Sequence, residues 1–266
     1  LPTPTPSLLA GFDIAFTAPL QPGGVTHYLD VHAPDEAQDL PLIVLVPGFS
    51  ESRRVYTGIS RALADKGAVV FTVDGPAWIP EVAAEENGRG YREMAETIAC
   101  AIRFARQAGP DFGADSGYVV LVGVSNGAGA GMYNSLIEDR VGELWDAFAA
   151  VRGGPPQQVD CVAQGASARV DEFIGTVGAY DNPDIVPEDR ELWEVSNIYA
   201  QIGRNPDLRV RLVHGELDTM IPIELAIHLE AALAEAEYDV ALTRFDGGHT
   251  ISAAQIIEQI LVFEEE

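Results

Sequence analysis

Ser125 sits at the centre of Gly123-Val124-Ser125-Asn126-Gly127, after the apolar run Tyr118-Val119-Val120-Leu121-Val122 and before the small residues Ala128-Gly129-Ala130-Gly131. This order specifies a buried strand, a tight turn and a helix start. Such a turn strains its central residue and lifts the hydroxyl clear of the sheet at a helix N-terminus, so the flanking positions must be small. A serine hydroxyl is a poor nucleophile at neutral pH. It needs a base, and the base needs an orienting acid.

The chain has five histidines. His27 and His32 fall in an early strand and read as core or surface residues. His228 lies inside a helix and reads as solvated. His214 ends a strand, and its expected work is hydrogen bonding that shapes the next loop. His249 differs, because it follows a strand and Gly247-Gly248, on a loop that leads into a helix. That places an imidazole at the C-terminal edge of the sheet, where open α/β folds hold their ligands. The expected acid is Asp218, in His214-Gly215-Glu216-Leu217-Asp218-Thr219, with Glu216 as its rival and Asp246 as a loop cap. Asp218 would accept the imidazole Nδ1–H, fix the tautomer and stabilise the imidazolium formed as Ser125 loses its proton.

Negative charge on a carbonyl oxygen needs donors as well. One is expected from the backbone N–H of Asn126. The other is expected from Phe49, in Pro47-Gly48-Phe49-Ser50 after Leu42-Ile43-Val44-Leu45-Val46, with its ring walling an acyl pocket. Trp78, Met220 and Ile221 are further pocket candidates, and each reads equally well as core. Arg53 and Arg54 follow the Phe49 loop. They read as a solvated helix start, with contact to a substrate carboxylate as the other reading.

These residues need elements to hold them. Strands are expected at Val25–His32, Leu42–Val46, Ala68–Val73, Tyr118–Val122, Ala147–Val151, Leu208–Leu212 and Val240–Phe245. Helices are expected at Gly58–Lys66, Tyr91–Arg106, after Ser125, at Glu224–Glu235 and at Ser252–Phe263. Alternating strands and helices predict an α/β fold with a mostly parallel central sheet covered on both faces. The whole chain, 1–266, is expected to be one domain. Gly153–Pro206 lacks a clear period and is read as a small cap or loop insertion before the acid-bearing strand.

With 47% hydrophobic residues over 266 positions, the chain can bury a large core. Its formal charge of -25 repels phosphate backbones and anionic lipid, which argues against nucleic acid and membrane surfaces as partners. No apolar run is long enough to span a bilayer, and no H-E-x-x-H or P-loop pattern points to a metal or nucleotide. Lys66 is the only lysine, a bias that fits either a salty habitat or compositional drift. Leu1-Pro2-Thr3-Pro4-Thr5-Pro6-Ser7 reads as an extended arm, and with it an exported protein, secreted or periplasmic, is the expectation, with a cytoplasmic one as the other reading. Cys100 and Cys161 read as one disulfide or as two buried thiols.

Taken together, these stretches resemble the α/β-hydrolases, from about Val25 to the C-terminus. Val46-Pro47-Gly48-Phe49-Ser50, Gly67-Ala68-Val69-Val70-Phe71-Thr72-Val73-Asp74 and Gly247-Gly248-His249 are similar to the dienelactone hydrolase, bacterial cutinase and polyester hydrolase group. The long segment with Trp193, Ser196 and Tyr199 is similar to that of prolyl-oligopeptidase-like esterases and peptidases. Dienelactone hydrolases proper carry cysteine where this chain has Ser125, and the cutinase type usually has methionine where it has Asn126. The resemblance implies a cofactor-free serine esterase acting on small-to-medium esters through an acyl-enzyme, with Ser125, Asp218, His249, Phe49 and Asn126 in the matching positions. An amidase or peptidase with the same triad, or a cutinase-like polyester hydrolase, is the alternative. A catalytically silent binding protein is a further class, disfavoured because no triad residue is missing.

Overall fold

The apolar runs become strands because their alternate side chains are buried on opposite faces of one sheet. In Leu40–Val46, Leu42, Val44 and Val46 enter one core while Ile43 and Leu45 enter another. Burying each such side chain contributes about 1.5–3 kcal/mol. The computed structural model describes residues 8–20, 25–35, 38–77, 85–181 and 189–260. The N-terminal arm 1–7, Trp78 and part of the segment 153–206 therefore lie outside the described residues.

In chain order the strands are β1 (Leu8–Ala15), β2 (Thr17–Ala18), β3 (Tyr28–Pro34), β4 (Leu40–Val46), β5 (Val69–Val73), β6 (Ala114–Val124), β7 (Asp160–Cys161), β8 (Glu172–Thr176), β9 (Arg209–Gly215) and β10 (Asp239–Phe245). The helices are α1 (Thr57–Asp65), α2 (Glu85–Ala108), α3 (Asn126–Ile137), α4 (Val141–Arg152), α5 (Arg190–Ser196), α6 (Ile198–Gln201), α7 (Glu224–Glu235) and α8 (Ala253–Ile260). Eight strands form one sheet in the order β1-β3-β5-β4-β6-β8-β9-β10, and β2 pairs with β7 apart from it. From β5 through β10 every pairing is parallel, whereas β1–β3 and β3–β5 are antiparallel. The fold is thus mixed α/β with a mostly parallel sheet. Its larger core packs α2, α3, α4 and α7 on one face, and the smaller packs α1 and α8 on the other.

Two expectations are corrected. Ala147–Val151 is the end of α4 and not a strand: Val141, Trp145 and Phe148 are buried at helical spacing. The strand between β6 and β9 is β8, which lies inside the segment expected as a cap. All five of its residues are buried, so Gly153–Pro206 builds part of the sheet. The segment's short helices α5 and α6 pack on neighbouring helices, with Leu192, Val195 and Ile198 in the larger core.

The route from α4 to β8 is fastened to α2. Cys100 and Cys161 form a disulfide, which closes the choice left by the sequence. Glu96 accepts the backbone N–H groups of Gln158 (2.7 Å) and Val159 (2.9 Å), and Arg92 donates to the carbonyl of Pro155 (2.9 Å). The parallel strands point their C-terminal ends to one edge, where the loops after β4, β5, β6, β9 and β10 gather.

Candidate active site

β6 ends at Val124, α3 begins at Asn126, and Ser125 between them has φ 53° and ψ -120°. A residue held in such a region costs about 1–3 kcal/mol and persists only where its surroundings fix it. Here Ser125 N–H donates to Thr176 (2.9 Å), and its carbonyl accepts from Ala128 and Ala179 (3.0 Å each). Gly127 explains the motif: a Cβ there would collide with the carbonyl oxygens of Val46 and Pro47. The missing side chain lets the start of α3 abut the end of β4, which brings Asn126 beside the Phe49 loop.

The loops after β9 and β10 are joined in the same way. Phe245 pairs with Gly215 in register, and a Cβ on Gly215 would collide with the carbonyls of Gly247 and Gly248. Glu216 N–H donates to Phe245 and Leu217 N–H to Gly247, both at 2.9 Å. Asp218 and His249 meet as a result. Asp218 Oδ2 is 2.7 Å from His249 Nδ1, and His249 Nε2 is 3.0 Å from Ser125 Oγ. The three nominated residues therefore form one hydrogen-bonded chain.

The Asp218 side chain has no exposed surface. Burial raises its carboxyl pKa, but hydrogen bonds from Ile221 N–H, His249 and Met220 N–H outweigh it, and the carboxyl is held below the ordinary value. The carboxylate so fixed orients the imidazole. The two backbone donors reach Asp218 Oδ1 at 2.9 Å each. Met220 and Ile221 are expected pocket residues by their side chains, yet it is their amides that hold the acid, a role that side-chain type does not signal. His214, wholly buried, donates from Nε2 to the carbonyl of Ile221 (3.0 Å) and so shapes this loop.

Phe49 lies on the loop after β4 and is 47% exposed, so it is not core. Ser50 has φ 52°, and Gly48 N–H donates to Glu51 Oε2 (2.9 Å). Among the described residues, neither Phe49 N–H nor Asn126 N–H has a hydrogen-bond acceptor. Glu216, Asp246 and His228 are exposed, and neither Glu216 nor Asp246 bonds to His249.

One of the two arginines after the Phe49 loop, Arg53, is a correction, while Arg54 is exposed at a helix start as expected. Arg53 is buried and ion-paired with Asp13, Asp30 and Asp74, and Arg54 pairs with Asp13. Arg53 therefore ties β1, β3 and the end of β5 to the start of α1, and is not a solvated helix start. Among the described residues, no group of three or more histidine, cysteine or acidic side chains is placed to hold a metal ion.

No protein-family model matches this chain, and no curated protein matches it in sequence. Among solved structures it is similar to the truncated form of a carbohydrate esterase from gut microbiota, with TM-score 0.70 and 14% identity over 98% of this chain and 97% of that one. It is also similar to a thermophilic esterase of the Planctomycetes species Thermogutta terrifontis, with TM-score 0.65 and 17% identity over 95% of each chain. A bifunctional GH43-CE protein of Bacteroides eggerthii matches with TM-score 0.68 and 17% identity over 97% of this chain, which spans 38% of that longer one. The chain shares their fold. No helix among the described residues is long and apolar enough to cross a membrane.

Proposed function

We propose that this chain is a serine carboxylic-ester hydrolase, a single domain of the α/β-hydrolase fold. The observation that carries the reading is the unbroken hydrogen-bond chain Ser125 Oγ–His249–Asp218, at 3.0 and 2.7 Å. The esterase names of two similar structures support esters as the substrate class. Exposed apolar side chains on the two flanking loops, Phe49, Leu217 and Met220, suit the uncharged body of a small or medium ester.

In this reading Ser125 Oγ attacks the ester carbonyl carbon as His249 Nε2 takes the hydroxyl proton. The carbonyl oxygen becomes an oxyanion held by the N–H groups of Phe49 and Asn126, each donor being worth about 3 kcal/mol to the transition state. Collapse breaks the carbon–oxygen bond to the alcohol, which leaves with the proton from His249. Water then loses a proton to His249 and attacks the acyl carbon; collapse breaks that carbon's bond to Ser125 Oγ, which takes the proton back from His249 as the acid leaves. The disulfide supports an oxidising, exported setting.

The test is intact-mass labelling with a fluorophosphonate, followed by a series of p-nitrophenyl esters of rising chain length. One adduct is expected on the wild type and none on Ser125→Ala, whose turnover should fall by about 10⁶-fold. No adduct on folded wild-type protein overturns the reading.

A further inference from the structure

The loop after β4 is closed by one residue used twice. Glu51 N–H donates to the carbonyl of Gly48 (3.1 Å), and Glu51 Oε2 accepts from Gly48 N–H (2.9 Å). The same Oε2 accepts from the hydroxyl of Tyr56 at 2.6 Å. Tyr56 is buried, and burial together with this bond pushes its phenol pKa well up, so it stays a donor. Glu51 is anchored in turn, because its carbonyl accepts from Gly75 N–H and Ser50 N–H donates to Pro76, both at 2.8 Å.

A trans peptide points its C=O and its N–H in opposite directions. The Gly48–Phe49 peptide is trans, as no cis bond occurs among the described residues. Holding Gly48 C=O on Glu51 N–H therefore turns Phe49 N–H the other way, and the side chain of Glu51 fixes the amide on the far side of Gly48. Ser125 is close by: a Cβ on Gly48 would stand 2.6 Å from Glu51 Oε2 and 3.4 Å from Ser125 Cβ.

We infer that Glu51, steadied by Tyr56, is the positioning residue of the oxyanion hole, aiming Phe49 N–H at the carbonyl oxygen of the substrate. The inference rests on the ester-hydrolase reading. Glu51 does not touch substrate, and its charge is no help, since a carboxylate beside a growing oxyanion opposes it. What the site needs from Glu51 is two accepted hydrogen bonds, and an amide oxygen can accept both.

The experiment compares wild type, Glu51→Ala, Glu51→Gln and Tyr56→Phe on p-nitrophenyl acetate, with fluorophosphonate labelling and melting temperatures alongside. Glu51→Ala is expected to lower kcat by about 30-fold with KM within about twofold, since a misaimed donor weakens the transition state and not the ground state. Glu51→Gln should restore kcat to within about threefold of wild type, and Tyr56→Phe should lower it by about fivefold. Wild-type kcat in Glu51→Ala overturns the inference, and so does a Glu51→Gln protein as slow as Glu51→Ala. Should Glu51→Ala fail to fold, Glu51→Gln and Tyr56→Phe decide: a slow, folded Glu51→Gln or an unchanged Tyr56→Phe overturns it. A wild type that neither labels nor turns over removes the hydrolase reading and this inference with it, an outcome separate from the others.

Discussion

Asp218 and Glu172 are both carboxylates withdrawn from solvent, at opposite ends of the sheet, and they carry opposite fates. Asp218 follows the C-terminal end of β9 and receives three donors, from Met220, Ile221 and His249. Its pKa falls. Glu172 opens β8 and receives one, the Tyr118 hydroxyl at 3.0 Å, while its Oε1 has no partner. Burial pushes its carboxyl up to about 7 against the pull of Tyr118 and of the Arg211 and Arg209 charges. Burial alone therefore does not decide ionisation. The donors that reach the carboxyl weigh against it, and a loop end with free amides supplies more of them than a strand start, where the ladder uses the amides.

Three substitutions probe this contrast. Asp218→Asn keeps the shape but offers His249 an amide, which favours the wrong tautomer. Ester turnover should drop on the order of 10⁴-fold with the fold intact, as read by kcat and circular dichroism. A loss under tenfold would mean that the ionised state at this end matters little. Glu172→Gln should leave turnover alone and change stability. The native state keeps the Glu172 proton up to about pH 7, whereas its ordinary pKa is 4.5. Between those values the native state binds more protons than the unfolded chain, so stability falls as pH rises. Removing the charge should add about 3 kcal/mol at most at pH 8 and almost nothing at pH 4.5, measured by urea unfolding. An equal gain at both pH values would refute the charge argument. Tyr118→Phe should have the smallest effect, a loss of about 1 kcal/mol at pH 8 with less at pH 4.5, because it takes the single donor from an ionised Glu172.

The same contrast bears on what the chain discloses as a string of letters. Ser125, Asp218 and His249 stand out because turns that expose reactive groups demand glycine, and glycine is visible at 123, 127, 215, 247 and 248. β8 is hidden, since Glu172 and Gly175 interrupt its apolar run and its burial comes from β6 and β9 on either side. Ala147–Val151 misleads for the opposite reason: five apolar or small residues in a row suit a buried strand, and only Val141 and Trp145 upstream reveal the helical period. Backbone donors leave no trace in residue type, so the amides that hold Asp218 are not legible. Neither is Arg53, whose three carboxylate partners lie 40, 23 and 21 positions away.

The disulfide has a consequence for the chain's continuity. Arg152 and Gly153 form an exposed helix end, and this bond lies between Cys100 and Cys161 in sequence. A protease that cuts after Arg152 would leave one piece with Ser125 and another with Asp218 and His249, still joined through sulfur. The proposed nucleophile and base would then belong to a two-chain molecule, joined covalently through sulfur until a reductant breaks that bond, and beyond it by the pairing of β6 with β8.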